Sequence, residues 1–121
     1  MANKLRRELA RGDAGLLVLN LLQEGDLYGY QLIRQLEYRS DDTFHLSEGT
    51  LYPVLHALEH EGCLESYWSQ EEAEGARRRK YYRLTNHGQA ELARLNKEWQ
   101  TYTQAVAKVL NFRGEPVSAH V

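Results

Sequence analysis

Two histidines and a cysteine near the middle of the chain have a spacing that could bind a metal ion. His56, Glu59 and His60 form the pattern H-x-x-E-H, and Cys63 follows three residues later. Histidines four residues apart share one face of a helix, where they can bind zinc while the glutamate acts as a general base. The pattern therefore allows two functions: a small zinc hydrolase, or a regulator that senses a metal through His56, His60 and Cys63.

Catalysis is the weaker interpretation of this pattern. Its spacing specifies no third ligand, and Leu55 and Leu58 already decide which face of the helix is buried. A domain of 121 residues leaves little room for a substrate cleft. We therefore expect no catalytic residue, no resident metal and no cofactor, with metal sensing kept as the alternative. Cys63 is the only cysteine, so it forms no internal disulfide and is either a redox-sensitive thiol or simply buried.

A basic segment with interleaved tyrosines lies between positions 77 and 83. It holds five basic side chains and no acidic one, although the whole chain carries a formal net charge of −2. Charges act over a Debye length of about 8–10 Å at physiological salt, so a local basic patch binds phosphates whatever the total charge. We favour nucleic-acid binding; a solvated surface and a module that docks acidic proteins are the alternatives. The basic residues are Arg77, Arg78, Arg79, Lys80 and Arg83.

The segment before the basic run is predicted to be a helix with two distinct faces. Its leucines and valine recur at i, i+3, i+4 and i+7, which is typical of a helix that buries one face. Ser47 is a suitable N-cap and Gly62 a left-handed C-cap. Pro53 has no N–H to donate to the carbonyl of Gly49, so either the regular helix starts near Thr50 or its first turn is kinked. The buried face comprises Leu51, Val54, Leu55 and Leu58, and the polar face comprises Thr50, Tyr52, Pro53 and His56.

The order of the other elements predicts a winged helix-turn-helix. Helices are expected over 5–23 and 28–39, before the helix just described, and strands over 63–69 and 79–84 follow it. The first strand alternates, with Leu64, Ser66 and Trp68 on one face, and the loop between the strands forms the wing. A last helix is expected from its N-cap, Thr85, to about Phe112. A helix with a polar face followed by a basic ribbon is the plan of a fold that docks on DNA.

The fold class is therefore mainly α with a small β-hairpin. We expect a winged helix-turn-helix over 5–85, a coiled-coil-like dimerisation helix over 86–112 and a disordered tail over 113–121. Apolar residues of the last helix recur at alternating spacings of three and four, which indicates a heptad seam. Two copies paired along it would form a homodimer suited to paired DNA half-sites; the alternative is a helix packed back on its own core. The seam residues are Leu92, Leu95, Trp99, Tyr102, Val106 and Val109.

No segment has the composition of a targeting or membrane-spanning sequence. The apolar runs are shorter than the roughly 18–20 residues that cross a bilayer. The first residues also lack the apolar stretch of a secretory signal. We therefore expect a cytoplasmic protein with no membrane partner.

Four segments of the chain together resemble the PadR family of bacterial transcriptional regulators, in particular its small members with a single C-terminal helix. They are 24–32, 46–53, 58–62 and 77–85, followed by Gly88, and their order and spacing carry the resemblance. It implies a homodimeric repressor whose partner is a double-stranded DNA operator. The third helix would enter the major groove, and the wing would touch the backbone or the minor groove. The DNA-binding positions so implied are Tyr28, Tyr30, Ser47, Thr50, Tyr52, His56, Arg77, Arg78 and Lys80.

The resemblance also implies a second role for Trp99, in binding a ligand. In multidrug-responsive small members of the family, a tryptophan of the last helix lies at the dimer centre and stacks planar aromatic ligands. Trp99 has the matching register, so a small aromatic effector is a possible partner. The chain departs from the expected pattern in its acidic wing insert at 71–74, which should repel phosphates and point away from DNA.

Overall fold

The computed structural model describes residues 7–8, 11–70 and 78–115. It confirms a mainly helical chain with a small antiparallel sheet, in the order of a winged helix-turn-helix followed by a long helix. The elements are β1 (Arg7–Glu8), α1 (Arg11–Leu22), β2 (Leu27–Tyr28), α2 (Gly29–Arg39), β3 (Phe44–His45), α3 (Glu48–His60), β4 (Leu64–Trp68), β5 (Lys80–Leu84) and α4 (Asn86–Leu110).

The predicted start of the first helix, at position 5, is wrong. Arg7–Glu8 forms a short strand that pairs in parallel with Phe44–His45, and α1 begins only at Arg11. Pairing with β3 therefore replaces helix at this end of the chain.

The third helix, α3, has both caps that the sequence predicts. The Ser47 hydroxyl accepts a hydrogen bond from the N–H of Thr50 at 3.3 Å. At the other end, Gly62 has a φ of 81°, and the Cys63 N–H donates to the Leu58 carbonyl at 2.9 Å. These bonds complete a Schellman motif, which requires a left-handed residue at Gly62.

Pro53 lies inside α3 without delaying its start. The helix begins at Glu48, so the option of a start near Thr50 is wrong. The carbonyl of Gly49, which loses its partner to the proline, belongs to an exposed residue where water can replace the bond. The apolar face is buried as predicted, with Leu51 and Leu55 both 0% exposed.

The sheet has a third strand that the sequence pattern does not reveal. Its strand order is β2-β5-β4, and β2 pairs Tyr28 with Tyr81 of β5. Tyr28 is therefore a strand residue and the N-cap of α2, rather than the first helical residue. On the inner face, Tyr82 and Leu64 are buried in the core. Trp68 shares that face by alternation but is 54% exposed, because it lies with its partner Lys80 at the open end of the ribbon.

The core lies between the first three helices and the inner face of the sheet, and α4 joins it only at its start. Leu92 is 2% exposed and belongs to this core. Next to it, the amides of Asn20 in α1 and Asn96 in α4 bond each other reciprocally, at 3.1 and 3.2 Å. From Lys97 to Glu115 every residue is exposed. Arg113–Glu115, within the expected tail, form neither helix nor strand, and 116–121 lie outside the described residues.

A compact joint holds the end of α3 against the start of α4. Thr85 donates its N–H to the Cys63 carbonyl at 3.1 Å and its hydroxyl to the Gly62 carbonyl at 2.5 Å. The same hydroxyl accepts the N–H of Gly88 at 3.0 Å, which confirms Thr85 as the N-cap. A Cβ at position 88 would lie 2.0 Å from the Cys63 carbonyl oxygen. Only glycine fits there.

We expect Gly88→Ala to destabilise the fold by about 1–3 kcal/mol, since its Cβ meets a backbone atom that cannot move aside without opening the joint. Gly15→Ala is the matched control, because nothing lies within 4 Å of a Cβ at that helical position. It should stabilise the fold by about 0.5–1 kcal/mol. The measurement is urea unfolding of both variants at equal protein concentration. Equal midpoints for the two variants would contradict the close contact.

Candidate nucleic-acid interface

The polar face of α3 is turned to solvent. Tyr52 and His56 are exposed, and their rings lie one helical turn apart, with centroids separated by 6.4 Å. Thr50 is half-buried one turn before the proline, and the Ser47 hydroxyl donates to its oxygen at 3.3 Å. The helix therefore presents hydrogen-bonding side chains on one face while its leucines anchor the other. That is the arrangement needed to read base edges in a major groove.

Tyr52 also links α3 to the start of α2. Its hydroxyl oxygen lies only 2.6 Å from where a Cβ of residue 29 would be, so Gly29 makes room for it. The side chain is 38% exposed. Tyr52 thus packs between two helices and still has a surface that faces solvent.

Tyr28 and Tyr30 lie at the junction of β2 and α2. Tyr30 is 59% exposed in the first turn of α2. Tyr28 is half-buried, and its N–H donates to the Gln31 side-chain oxygen at 3.1 Å. Both tyrosines thus border the surface that α3 presents.

The outer face of the sheet carries a row of tyrosines. Tyr28 meets Tyr81 edge to face with ring centroids 5.4 Å apart, and Tyr81 stacks on Tyr67 at 5.7 Å. Tyr67 donates its hydroxyl to a carboxylate oxygen of Asp26 at 2.5 Å. That bond raises the pKa of the Tyr67 hydroxyl, because the proton it shares stabilises the neutral phenol. Tyr81 is therefore a packed member of the row.

The root of the wing is fixed by bonds to Ser69. The N–H of Ser69 donates to the Arg79 carbonyl at 2.7 Å, and the Ser69 hydroxyl accepts the Arg79 N–H at 2.9 Å. Arg78 donates its Nε to the Ser69 carbonyl at 3.2 Å. Lys80 places its Nζ 5.7 Å from the centre of the Tyr82 ring. Arg77 and the acidic insert lie outside the described residues.

Two exposed wing residues, Arg79 and Trp68, are absent from the DNA contacts expected from sequence. The guanidinium of Arg79 lies 4.7 Å from the centre of the Tyr28 ring, a contact that depends on the unforeseen strand β2. Trp68 stands beside Lys80 at the end of the ribbon. Sequence alternation groups Trp68 with Leu64 and Ser66 but does not show that Trp68 is exposed at the end of the ribbon.

The structure does not assemble the metal site that the sequence allows. Among the described residues, no three histidine, cysteine or acidic side chains are grouped so that they could hold a metal ion. His56 and His60 are exposed, whereas Cys63 is 1% exposed. Burial, reinforced by nearby carboxylates, raises the pKa of the Cys63 thiol and so disfavours the thiolate that binds metals. Glu59, the would-be general base, accepts a hydrogen bond from the Ser66 hydroxyl at 2.5 Å.

The second half of α4 exposes an apolar stripe. Trp99 is 48% exposed and stacks on Tyr102 with ring centroids 5.8 Å apart. Both line an open groove of about 480 Å³ between α1 and α4, together with Asp13, Leu16, Leu95 and Glu98. The stripe continues through Val106, Val109, Leu110 and Phe112, all exposed.

Leu92 needs a correction as a member of the predicted seam. Its side chain is buried in the core of its own chain, so it has no surface left for a partner. Leu95 is partly buried against the same core. The alternative of a helix packed on its own core is therefore right for the first turns of α4, where α1 covers it, and does not hold beyond Asn96.

Within the described ranges, no helix is both long enough and apolar enough to span a bilayer.

Comparison with known proteins gives consistent matches over most of the chain. Residues 18–94 match the Transcriptional regulator PadR-like family. The chain is 35% identical over 86 residues to transcriptional regulator Rv3488 of Mycobacterium tuberculosis, covering 71% of this chain and 75% of that protein. A PadR family transcription regulator from Clostridium difficile has a similar structure, with 35% identity, a TM-score of 0.71, and coverage of 81% of this chain and 98% of that one.

A transcriptional regulator from Clostridium thermocellum is also similar, with 33% identity and a TM-score of 0.73 over 81% of this chain and 90% of that one. These relatives are regulators and not enzymes, which confirms the expectation that the chain has no catalytic activity. The resemblance noted in the four sequence segments is confirmed as well. The chain belongs to the PadR-like family of transcriptional regulators.

Proposed function

We propose that this regulator is a sequence-specific DNA-binding repressor that acts as a homodimer. The observation that carries the proposal is the exposed polar face of α3, held by a buried leucine face and flanked by the basic root of the wing. An α-helix fits the major groove of B-DNA, and hydrogen-bonding side chains on it distinguish base pairs there. Since a transcriptional regulator works on DNA, we also propose the cytoplasm as its location.

The proposed contacts divide into two kinds. Thr50, Tyr52 and His56 face the bases, because they project from the solvent side of α3. Ser47 contributes mainly as the N-cap that starts the reading helix. The phosphate side comprises residues of the wing and of the start of α2, namely Tyr30, Arg77, Arg78 and Lys80, with Tyr28 lying beside them.

We expect the double substitution Arg78→Ala and Lys80→Ala to weaken binding to every duplex alike and to flatten the salt dependence. Each phosphate contact contributes about 0.9 to the slope of log Kobs against log salt concentration. His56→Ala should instead reduce the preference for one sequence over another while leaving the slope unchanged. The measurement is fluorescence anisotropy with a duplex from upstream of the gene for this protein and with a random-sequence duplex.

Equal weakening of both duplexes by His56→Ala would contradict the role of α3 in reading sequence. A wild-type chain whose affinity is insensitive to salt, or that prefers neither duplex, would remove the support for a DNA-binding regulator. The alternative, a docking module for acidic proteins, predicts a chain that prefers neither duplex.

We further propose that two copies pair through the second half of α4. The 25 residues of this helix span about 37 Å at 1.5 Å per residue. Its exposed apolar stripe, Trp99, Tyr102, Val106 and Val109, follows heptad spacing, which favours a two-stranded seam. The division into a DNA-binding unit over 5–85 and a dimerisation helix over 86–112 would then fall at the Thr85 cap.

The double substitution Val106→Asp and Val109→Asp should convert the dimer into a folded monomer at micromolar concentration. Two buried charges in the seam would cost more than the pairing gains, whereas the core at the start of α4 is untouched. Gln104→Asp is the matched control, since it adds a charge to the opposite side of the same helix. Light scattering gives the mass and circular dichroism the fold. A wild-type chain that is itself monomeric would contradict the proposal.

In the proposed dimer, α4 transmits the effect of ligand binding to α3 and so to the DNA. Thr85 bonds the start of α4 to the Gly62 and Cys63 carbonyls at the end of α3, and Gly88 allows this close approach, so we expect the two helices to move together. Operator half-sites lie roughly 34 Å apart, and a small change in the angle of α4 would misplace one reading helix. A planar aromatic molecule that binds between paired Trp99 rings in only one arrangement would shift that equilibrium.

We expect Trp99→Ala to abolish binding of a planar aromatic dye such as proflavine, because stacking between the two rings is lost. Affinity for the duplex should change little. The chain has two tryptophans, so Trp68→Phe leaves Trp99 as the only indole and should retain full quenching by the dye. Fluorescence titration without DNA is the measurement. Unaltered dye affinity in Trp99→Ala would contradict the effector site.

A further inference from the structure

We propose that Arg79 is a phosphate-binding residue of the wing, and that Tyr28 acts by positioning Arg79 through its ring rather than by contacting DNA with its hydroxyl. The inference rests on the proposed DNA binding and deepens it. Arg79 lies outside the set of contacts that the sequence and the family resemblance suggested. Arg79 and Arg83 occupy the same outer face of the sheet and differ in how their charges are compensated.

Arg79 and Arg83 have similar aromatic neighbours. The Arg79 guanidinium lies 4.7 Å from the centre of the Tyr28 ring, and the Arg83 guanidinium lies 5.1 Å from the centre of the Tyr67 ring. Both side chains are exposed on the outer face. Stacking on a ring is therefore common to the two residues and does not by itself separate their functions.

Their charges are used differently. Arg83 donates its Nε to a carboxylate oxygen of Glu65 at 2.7 Å, and this ion pair compensates its charge. Among the described residues, no carboxylate lies within ion-pair distance of Arg79. Within the part of the chain that the structure describes, the Arg83 guanidinium is paired with a carboxylate and the Arg79 guanidinium is not, so we infer that the charge of Arg79 is available to an external anion.

The Tyr28 ring, on which Arg79 stacks, is held in place by neighbouring residues of the sheet. Tyr28 is fixed by its β2 pairing with Tyr81 and by the edge-to-face contact between their rings. Tyr81 stacks in turn on Tyr67, whose hydroxyl is bonded to Asp26. The row therefore holds the Tyr28 ring in one place, and the backbone of Arg79 is fixed by Ser69.

This geometry suits a phosphate contact. A guanidinium that stacks one face on an aromatic ring still has N–H groups free at its edge, in the fork that matches phosphate oxygens. Holding the long side chain in place before binding lowers the entropy lost on forming the contact. Arg79 also adjoins Lys80 at the wing root, so its charge joins a basic surface that the proposed DNA complex already uses.

The test measures affinity for a random-sequence duplex by anisotropy at several salt concentrations. We expect Arg79→Gln to lower the salt slope by about one unit for each protomer. Arg83→Gln, the matched control, should leave it unchanged because that charge is already paired. Tyr28→Leu should weaken binding about two- to fivefold, the size of an exposed cation–π contact. Tyr28→Phe keeps the ring and should rescue that loss.

A double variant tests the coupling of the two residues. Tyr28→Leu combined with Arg79→Gln should bind no more weakly than Arg79→Gln alone, since the ring has nothing left to position. Arg79→Lys keeps the charge without the flat stacking surface and should match Tyr28→Leu, which gives a test that does not depend on the fold tolerating a change in the tyrosine row. Thermal melting checks that each variant is folded.

Some results would overturn the inference alone. One is an unchanged salt slope in Arg79→Gln while the wild-type chain binds duplex with a sequence preference. Another is equal loss in Tyr28→Phe and Tyr28→Leu, which would mean that the hydroxyl makes the contact. A wild-type chain that binds no duplex would overturn the proposed function and this inference together.

Discussion

Two backbone carbonyls, those of Gly62 and Cys63, connect the end of α3 to the start of α4. They belong to the last two residues of the Schellman motif that ends α3, and the Thr85 cap of α4 donates a hydrogen bond to each of them. The carbonyls at the end of α3 are therefore also the hydrogen-bond acceptors for the residue that caps the start of α4. The close approach is possible because position 88 has no side chain. The exposed polar face of α3 and the exposed apolar stripe of α4 are thereby fixed relative to each other by these hydrogen bonds, in addition to the core that Leu92 joins.

The sheet positions the basic residues of the proposed interface through side-chain contacts on both of its faces. Its inner face anchors the ribbon with Tyr82, whose burial raises the pKa of its hydroxyl. Its outer face carries the tyrosine row, closed at one end by Asp26 and bordered by two stacked arginines. The wing therefore leaves the domain from a rigid base. The sequence shows these tyrosines, but only the pairing of β2 with β5 shows that they form one surface.

Local signals were enough to predict some elements and not others. The caps and buried face of α3 depend on residues close together in the chain, and Ser47, Leu55 and Gly62 behave as their types indicate. Strands β1 and β2 have two residues each, too short for alternation to be visible, and both depend on distant partners. The proposed role of Arg79 depends on its contact with Tyr28 of β2, so local sequence signals do not reveal it. Heptad spacing likewise does not tell whether a partner or the chain's own core covers a position, which is why Leu92 was misplaced.

The reciprocal amide bonds between Asn20 and Asn96 constrain how this sequence can diverge. Each amide satisfies the other in a half-buried setting between α1 and α4. Changing Asn20 to an apolar residue leaves the Asn96 amide without this partner, whereas changing Asn96 leaves Asn20 with its bond to the Leu16 carbonyl at 2.8 Å. Since both amides are only part-buried, water replaces some of what is lost and each single change costs about 1 kcal/mol, while changing both to shapes that pack together is nearly neutral. Substitutions at positions 20 and 96 are therefore expected to be correlated among related sequences, with paired replacements more frequent than single ones.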